Sequence, residues 1–162
     1  MAQVDFFLKI GDIKGESADS KHKDEIDIES FSWGETNSGS MTAGSGGGSG
    51  KVAPQDFHFV KKLDKSSPTL FMACATGKHY DLAQLTARRA GEKPLEYLKI
   101  KMSECLVSSY QVGGSEGAGV VPTEQISLNF AKIEYIFTTQ SADGGAGPAI
   151  TQVYDFRKNV KG

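Results

Sequence analysis

Ile126-Ser127-Leu128-Asn129-Phe130 and Ile133-Glu134-Tyr135-Ile136-Phe137 are the stretches that decide the fold class. Large apolar side chains recur at every second position, the period of a strand with one face on a core. Outward from there, the same alternation marks Phe6, Leu8 and Ile10, then Ile26 and Ile28, then Phe57 and Phe59. It returns at Leu85 and Ala87, at Leu98, Ile100 and Met102, over 106–110, and in a last run near 150–156. Phe31 and Trp33 continue the second run on the opposite parity, which predicts a bulge near Glu29 and Ser30. Those two aromatics then face the core, and Ser32 between them points the other way. Ala90-Gly91-Glu92-Lys93-Pro94 predicts a turn, and glycine-rich joints at 113–119 and 142–147 separate the later runs.

One segment departs from this pattern. In Ser67-Pro68-Thr69-Leu70-Phe71-Met72-Ala73-Cys74-Ala75-Thr76-Gly77, Ser67 suits a helix cap and Pro68 the first turn, while Gly77 suits a left-handed stop. Leu70 with Cys74, and Phe71 with Ala75, stand four apart and predict an apolar face. A mainly β domain with one short helix, about 67–76, follows; many short strands with glycine turns imply a barrel or a sandwich.

Between Asn37 and Lys51 lies a glycine tract, Asn-Ser-Gly-Ser-Met-Thr-Ala-Gly-Ser-Gly-Gly-Gly-Ser-Gly-Lys. A long loop of this kind inside a compact domain points to function or disorder. Ordering its backbone costs entropy and Met41 is its one large apolar side chain, so the tract reads as either a mobile tip or a segment that another molecule orders. A phosphate loop is excluded by spacing: Ser45 stands at its first glycine and Val52 at its magnesium-binding hydroxyl. Gly48, Gly50 and Ala53 meet the dinucleotide fingerprint loosely, but a strand rather than a helix follows.

The balance of 18 basic and 20 acidic side chains leaves no footprint for nucleic acid. Cys74 and Cys105, far apart in apolar settings, read as buried thiols. The start lacks the basic region of a signal peptide, and no window is long enough to span a membrane. His22, His58 and His79 are isolated in sequence, so no metal site is expected. His58 alternates with two phenylalanines and belongs on an outer strand face; His79 and Tyr80 read as a structural pair. Asp24, Glu25, Asp27 and Glu29 read as a solvated rim. Gly113-Gly114-Ser115-Glu116-Gly117 spells a nucleophile elbow, but a strand follows it and no histidine comes later in the chain. No catalytic residue and no cofactor is assigned, and an enzyme is not expected.

With these pieces placed, the chain resembles end to end the haemolysin-coregulated protein (Hcp) family, the tube-forming component of bacterial type VI secretion. The resembling residues are Lys14-Gly15-Glu16-Ser17, Ser32-Trp33-Gly34, Asp64-Lys65-Ser66-Ser67-Pro68-Thr69-Leu70 and Met72-Ala73-Cys74-Ala75-Thr76-Gly77-Lys78-His79-Tyr80. Glu96-Tyr97-Leu98, Leu106-Val107-Ser108-Ser109 and Pro122-Thr123-Glu124 complete them.

The resemblance implies a β-barrel of two antiparallel-rich sheets with one short helix and the long loop at about 37–51. Such domains form hexameric rings, stacked into a tube inside a contractile sheath and expelled into a target cell. A tip spike and small effectors in the lumen would be the further partners, and assembly in the cytoplasm would precede secretion without a signal peptide. Ser32 resembles the lumen-wall serine of the Ser-Trp-Gly stretch. Ser40, Met41, Gly44, Gly46, Gly47, Gly48, Gly50 and Lys51 would contact neighbouring subunits or the next ring. Residues 1–162 are expected to form a single domain with no toxin domain fused at the C-terminus. The rival classes are a monomeric barrel holding a small apolar ligand in its mouth, and a hydrolase at Ser115.

Overall fold

The computed structural model describes residues 4–39, 41, 50–117, 119 and 121–162. In chain order the elements are β1 (Val4–Ile10), β2 (Ile26–Ile28), β3 (Ser30–Ser32), β4 (Glu35–Asn37), β5 (Val52–Pro54) and β6 (Phe57–Lys62). Then come α1 (Ser67–Thr76), β7 (His79–Arg89), β8 (Leu95–Gly113), β9 (Thr123–Gln140), β10 (Ala146–Asp155) and β11 (Val160–Lys161). Every strand pairing is antiparallel. The mainly β architecture with one helix is therefore the expected one. The strands make one bent sheet in the order β11-β10-β9-β8-β7-β1-β2, with β3 and β6 joined to β9, plus the separate ribbon β4–β5.

Two long strands give this sheet its two walls. The first half of β9 pairs with β6, from Lys62↔Thr123 to Phe57↔Leu128, and the second half pairs with β10 from Asp155↔Lys132 onward. The buried parity switches at one level across three neighbouring strands. It passes from Tyr80 to Ala83 in β7, from Met102 to Cys105 in β8, and from Phe130 to Ile133 in β9. Glu104 at the switch has φ +52°, a left-handed backbone that turns the strand over. The alternation thus breaks without ending the strand. The runs 98–102 and 106–110, read separately from sequence, are one strand, as are 126–130 and 133–137.

The break at Glu29 is sharper than a bulge. β2 pairs with β1 while β3 pairs with β6, so the chain leaves one wall for the other there, and the Glu29 amide donates to the Val60 carbonyl at 2.8 Å. Phe6, Phe31, Phe57 and Phe59 bridge the walls as a chain of ring contacts, with centroids 5.2, 5.7 and 6.2 Å apart. Leu8, Ile10, Ile26, Phe57, Phe59, Leu85, Ile126 and Leu128 are fully buried, and the interior is filled by side chains. Phe31 and Trp33 pack against that core from its margin, half-buried rather than enclosed.

Helix α1 keeps its expected span, but two details differ. Ser66, not Ser67, holds the N-cap position, and its side chain caps no amide, while the Ser67 hydroxyl accepts from the Asp64 amide at 3.0 Å. Leu70 and Ala73 face the core with Cys74 beside them, whereas Phe71 and Ala75 point outward. Gly77 ends the helix at φ +66°. The polar stretch after Gly11 is pinned rather than loose, because Ile13, Ser17 and His22 are buried in it. A Cβ on Gly15 would lie 2.4 Å from the Glu25 carbonyl oxygen, so only glycine fits that crossing.

Candidate functional site

The register of four strands builds one outward face from small neutral side chains. Ser32 pairs with His58, His58 with Ser127, and Ser127 with Ser109. Directly paired residues share a face, so these four form a row across β3, β6, β9 and β8. The adjacent row is Ser30, Val60, Gln125 and Gln111. Ser109 keeps this register because β8 bulges between Val107 and Ser109. His58 Nδ1 lies 3.2 Å from the Ser127 hydroxyl, and Asp56 accepts from Ser108 at 2.6 Å and Asn129 at 2.8 Å beside the rows. Apart from His58, the eight side chains carry no ionisable group. Lower on β8 and β9 the outward face is charged, with Lys101 3.6 Å from Glu134. Ser32, the predicted site residue, is exposed and opens the row; His58, Ser127 and Ser109 joined it only through pairing that no linear motif displays.

The predicted loop residues divide. Ser40, Gly44, Gly46, Gly47 and Gly48 lie outside the described residues. Met41 is 90% exposed. At the loop's base Asn37 pairs with Val52, and the Asn37 amide donates to the Gly50 carbonyl at 3.1 Å. Gly50 and Lys51 lie on the rim of an open groove of about 1150 Å³ between the β4–β5 ribbon and the β9–β10 wall. Its apolar lining includes Trp33, Val52, Tyr135, Phe137 and Ile150. Tyr135, Phe137 and Ile150 are exposed, and the Trp33 indole N–H is the buried side-chain donor left without a partner among the described residues. Buried Ile133 also lines it and shares a strand face with Tyr135 and Phe137, so the groove borders the core.

Beneath the row, sequence reading missed a buried ionic cluster. Lys61 and Glu124 are both fully buried and paired, and the Lys61 ammonium also donates to Asp64 at 2.9 Å and Ser67 at 3.2 Å. Ser67 donates to Glu124 at 2.7 Å, and the Tyr110 hydroxyl donates to its other oxygen. Burial first, then the Glu124 carboxylate, pushes the Tyr110 hydroxyl well above its ordinary range. These five residues tie β6, β8, β9 and the start of α1 into one corner. Two of the resembling motifs, at 64–70 and 122–124, fall in it.

The histidines and carboxylates also regroup. His22 lies buried, 2.9 Å from Glu25 and 2.6 Å from Glu96, and stacks on Phe7 with centroids 4.3 Å apart. Glu25 is thus an internal partner rather than part of a solvated rim. His79 is exposed and Tyr80 buried, so that pair is split. No group of three metal-ligating side chains occurs among the described residues. Ser115 lies between the ends of two antiparallel strands, Gly113 and Thr123, which is not the strand-to-helix elbow. Cys105 is buried and Cys74 half-buried, both free thiols, and burial pushes the Cys105 thiol up to about 11.

Arg88 clamps the same region through Asp19, at 3.0 and 2.6 Å, and Asp5 at 3.2 Å. The Arg88 hydrogen bond holds the Asp19 carboxyl at about 2, against an ordinary 3.8. Its folded value being depressed, the clamp stabilises fully above 3.8 and is lost as pH falls toward 2. Wild type should therefore resist urea better than Asp19→Asn at about pH 5, with the gap narrowing as pH falls from about 4 through about 2. A gap independent of pH would contradict the clamp.

Comparison with known proteins gives matches along nearly the whole chain. Residues 7–137 match the family described as "Type VI secretion system effector, Hcp". The chain is 50% identical over 160 residues to protein hcp1 of Pseudomonas aeruginosa, covering 98% of each. It superposes on Hcp1 from Salmonella typhimurium with TM-score 0.83 at 37% identity, covering 99% of both chains. A structure described as a type six secretion system protein gives TM-score 0.92 at 28% identity, covering 98% of this chain and 99% of that one.

Proposed function

This chain belongs to the Hcp family of type VI secretion, as a tube protein of that system, and on that premise we propose that it closes into hexameric rings that stack into the inner tube. The neutral face headed by Ser32 is the lumen wall. The observation that carries this reading is the row Ser32–His58–Ser127–Ser109, a hydroxyl- and amide-lined surface that contrasts with the charged outward face lower on β8 and β9. Such a wall is wet and weakly adhesive. It can hold a small effector through adjustable hydrogen bonds and release it without breaking ion pairs.

The contractile sheath lies outside the tube, the spike at its tip, and effectors within. Assembly takes place in the cytoplasm, and the type VI machinery then secretes the tube. Residues 1–162 act as one domain, supported by a single hydrophobic cluster that draws on β1, β2, β6, α1, β7, β8 and β9. The loop around Met41, Gly50 and Lys51, with Ser40, Gly44, Gly46, Gly47 and Gly48, supplies the contact between rings; a polar, glycine-rich sequence makes a weaker and more adjustable joint than an apolar patch.

Ser32→Arg tests the wall. It adds a bulky charge to an exposed position and removes no core contact, so rings should persist in electron micrographs. Effector co-purifying with the rings should fall by about tenfold or more, since charge would then crowd the lumen. Unchanged effector loading on intact rings would remove Ser32 from the wall.

A further inference from the structure

We propose that the outer face of α1 in one copy seats in the Trp33–Tyr135–Phe137–Ile150 groove of the next copy around the ring. The inference rests on the self-assembly reading and supplies its lateral contact.

Helix α1 contains no charged residue, and its exposed positions are Pro68, Thr69, Phe71, Met72, Ala75 and Thr76. Phe71 and Met72 are 52% and 54% exposed. A helix whose outer face meets water normally carries charge there, so this face is built to be covered. The groove is the matching concave surface, with Tyr135 at 44%, Phe137 at 45% and Ile150 at 59% exposed.

Placement selects a second copy as the occupant. β7 pairs with β8 only as far as His79↔Leu106, so beyond that point β8 has a free edge among the described residues. Helix α1 packs there, with Phe71 6.2 Å from Tyr110. The groove begins at Trp33, directly after β3, whose partner is β6 alone. The two apolar surfaces therefore flank opposite edges of the one four-stranded face that carries the Ser32 row. Setting copies side by side brings helix to groove while every Ser32 row stays on the same side. Such a contact joins two different patches and repeats until the rotation closes.

Charge agrees with the fit. The last turn of α1 has no basic residue, so its terminal carbonyls leave a partial negative end. Lys78, next in the chain, lies 5.1 Å over the Tyr80 ring. Lys51 and Lys161 stand on the groove with a single carboxylate, Glu35, and the two lysines can meet that end.

The test uses the full chain, native mass spectrometry and a dilution series. Met72→Glu and Ile150→Lys, both at exposed positions, should each raise the concentration for half-assembly by about 30-fold or more, with melting unchanged. Combined, the opposite charges should recover most of that loss. Should Met72→Glu unfold, Thr69→Glu on the same exposed face replaces it. Single variants that assemble like wild type overturn the contact while leaving the rings in place. Singles that fail without recovery in the pair overturn the mating of these two surfaces, as does a small molecule or a different protein found in the groove of assembled rings. A wild type that forms no ring defeats the tube reading instead.

Discussion

Lys61→Ala is expected to lower folding stability by about 3–5 kcal/mol, the scale for breaking a buried ion pair from one side. Lys61 and Glu124 are fully buried, and among the described residues Glu124 has no other cationic partner. Removing the ammonium leaves the Glu124 carboxylate buried, facing Asp64 across the gap, with only hydroxyl donors from Ser67 and Tyr110. Lys61→Met combined with Glu124→Leu should lose much less, because neither partner is then left uncompensated. Urea unfolding of the three proteins measures this. A loss below about 1 kcal/mol for Lys61→Ala would mean that water reaches the corner and that the pair is not sealed.

Phe57→Ala carries a comparable expectation, about 3–5 kcal/mol. Phe57 is fully buried and stacks on Phe31 at 5.7 Å while meeting Phe59 at 6.2 Å. Its removal opens a cavity between the walls and frees Phe31, the residue before Ser32. The damage should therefore reach function: β3 loosens, and with it the head of the polar row. Amide exchange at Ser30–Ser32 should rise more than the global loss accounts for. Equal protection in both proteins would show that β6 pairing alone holds β3.

How much was legible depends on how local the cause was. The span of α1 came from Pro68 and Gly77, whose backbone preferences act within a few residues. Its buried face did not, because Leu70/Cys74 and Phe71/Ala75 both satisfy the four-residue spacing and only packing chooses between them. The walls were legible as alternation, yet each long strand read as two, because the buried parity resets at Glu104 in β8 and between Phe130 and Ile133 in β9 without ending the strand. Ribbon β4–β5 left no signal, since neither of its faces is buried. Ser32 could be placed by its neighbours Phe31 and Trp33. Its companions in the row sit 26, 77 and 95 positions later by simple subtraction from 58, 109 and 127, and only the ladder joins them. The same holds for His22, whose partner Glu96 is 74 residues away. Buried Lys61 and Glu124 left no signal as a pair, because a charge at a core-parity site reads as a break in the pattern.

The claim on which the account turns is that the work belongs to a closed ring of these domains and to the hole it encloses. Native mass spectrometry of the purified full chain at micromolar concentration tests it most directly. The account predicts a dominant species of six chain masses, matched by annular particles in negative stain. A single chain mass at every concentration, with no annular particles, would contradict it.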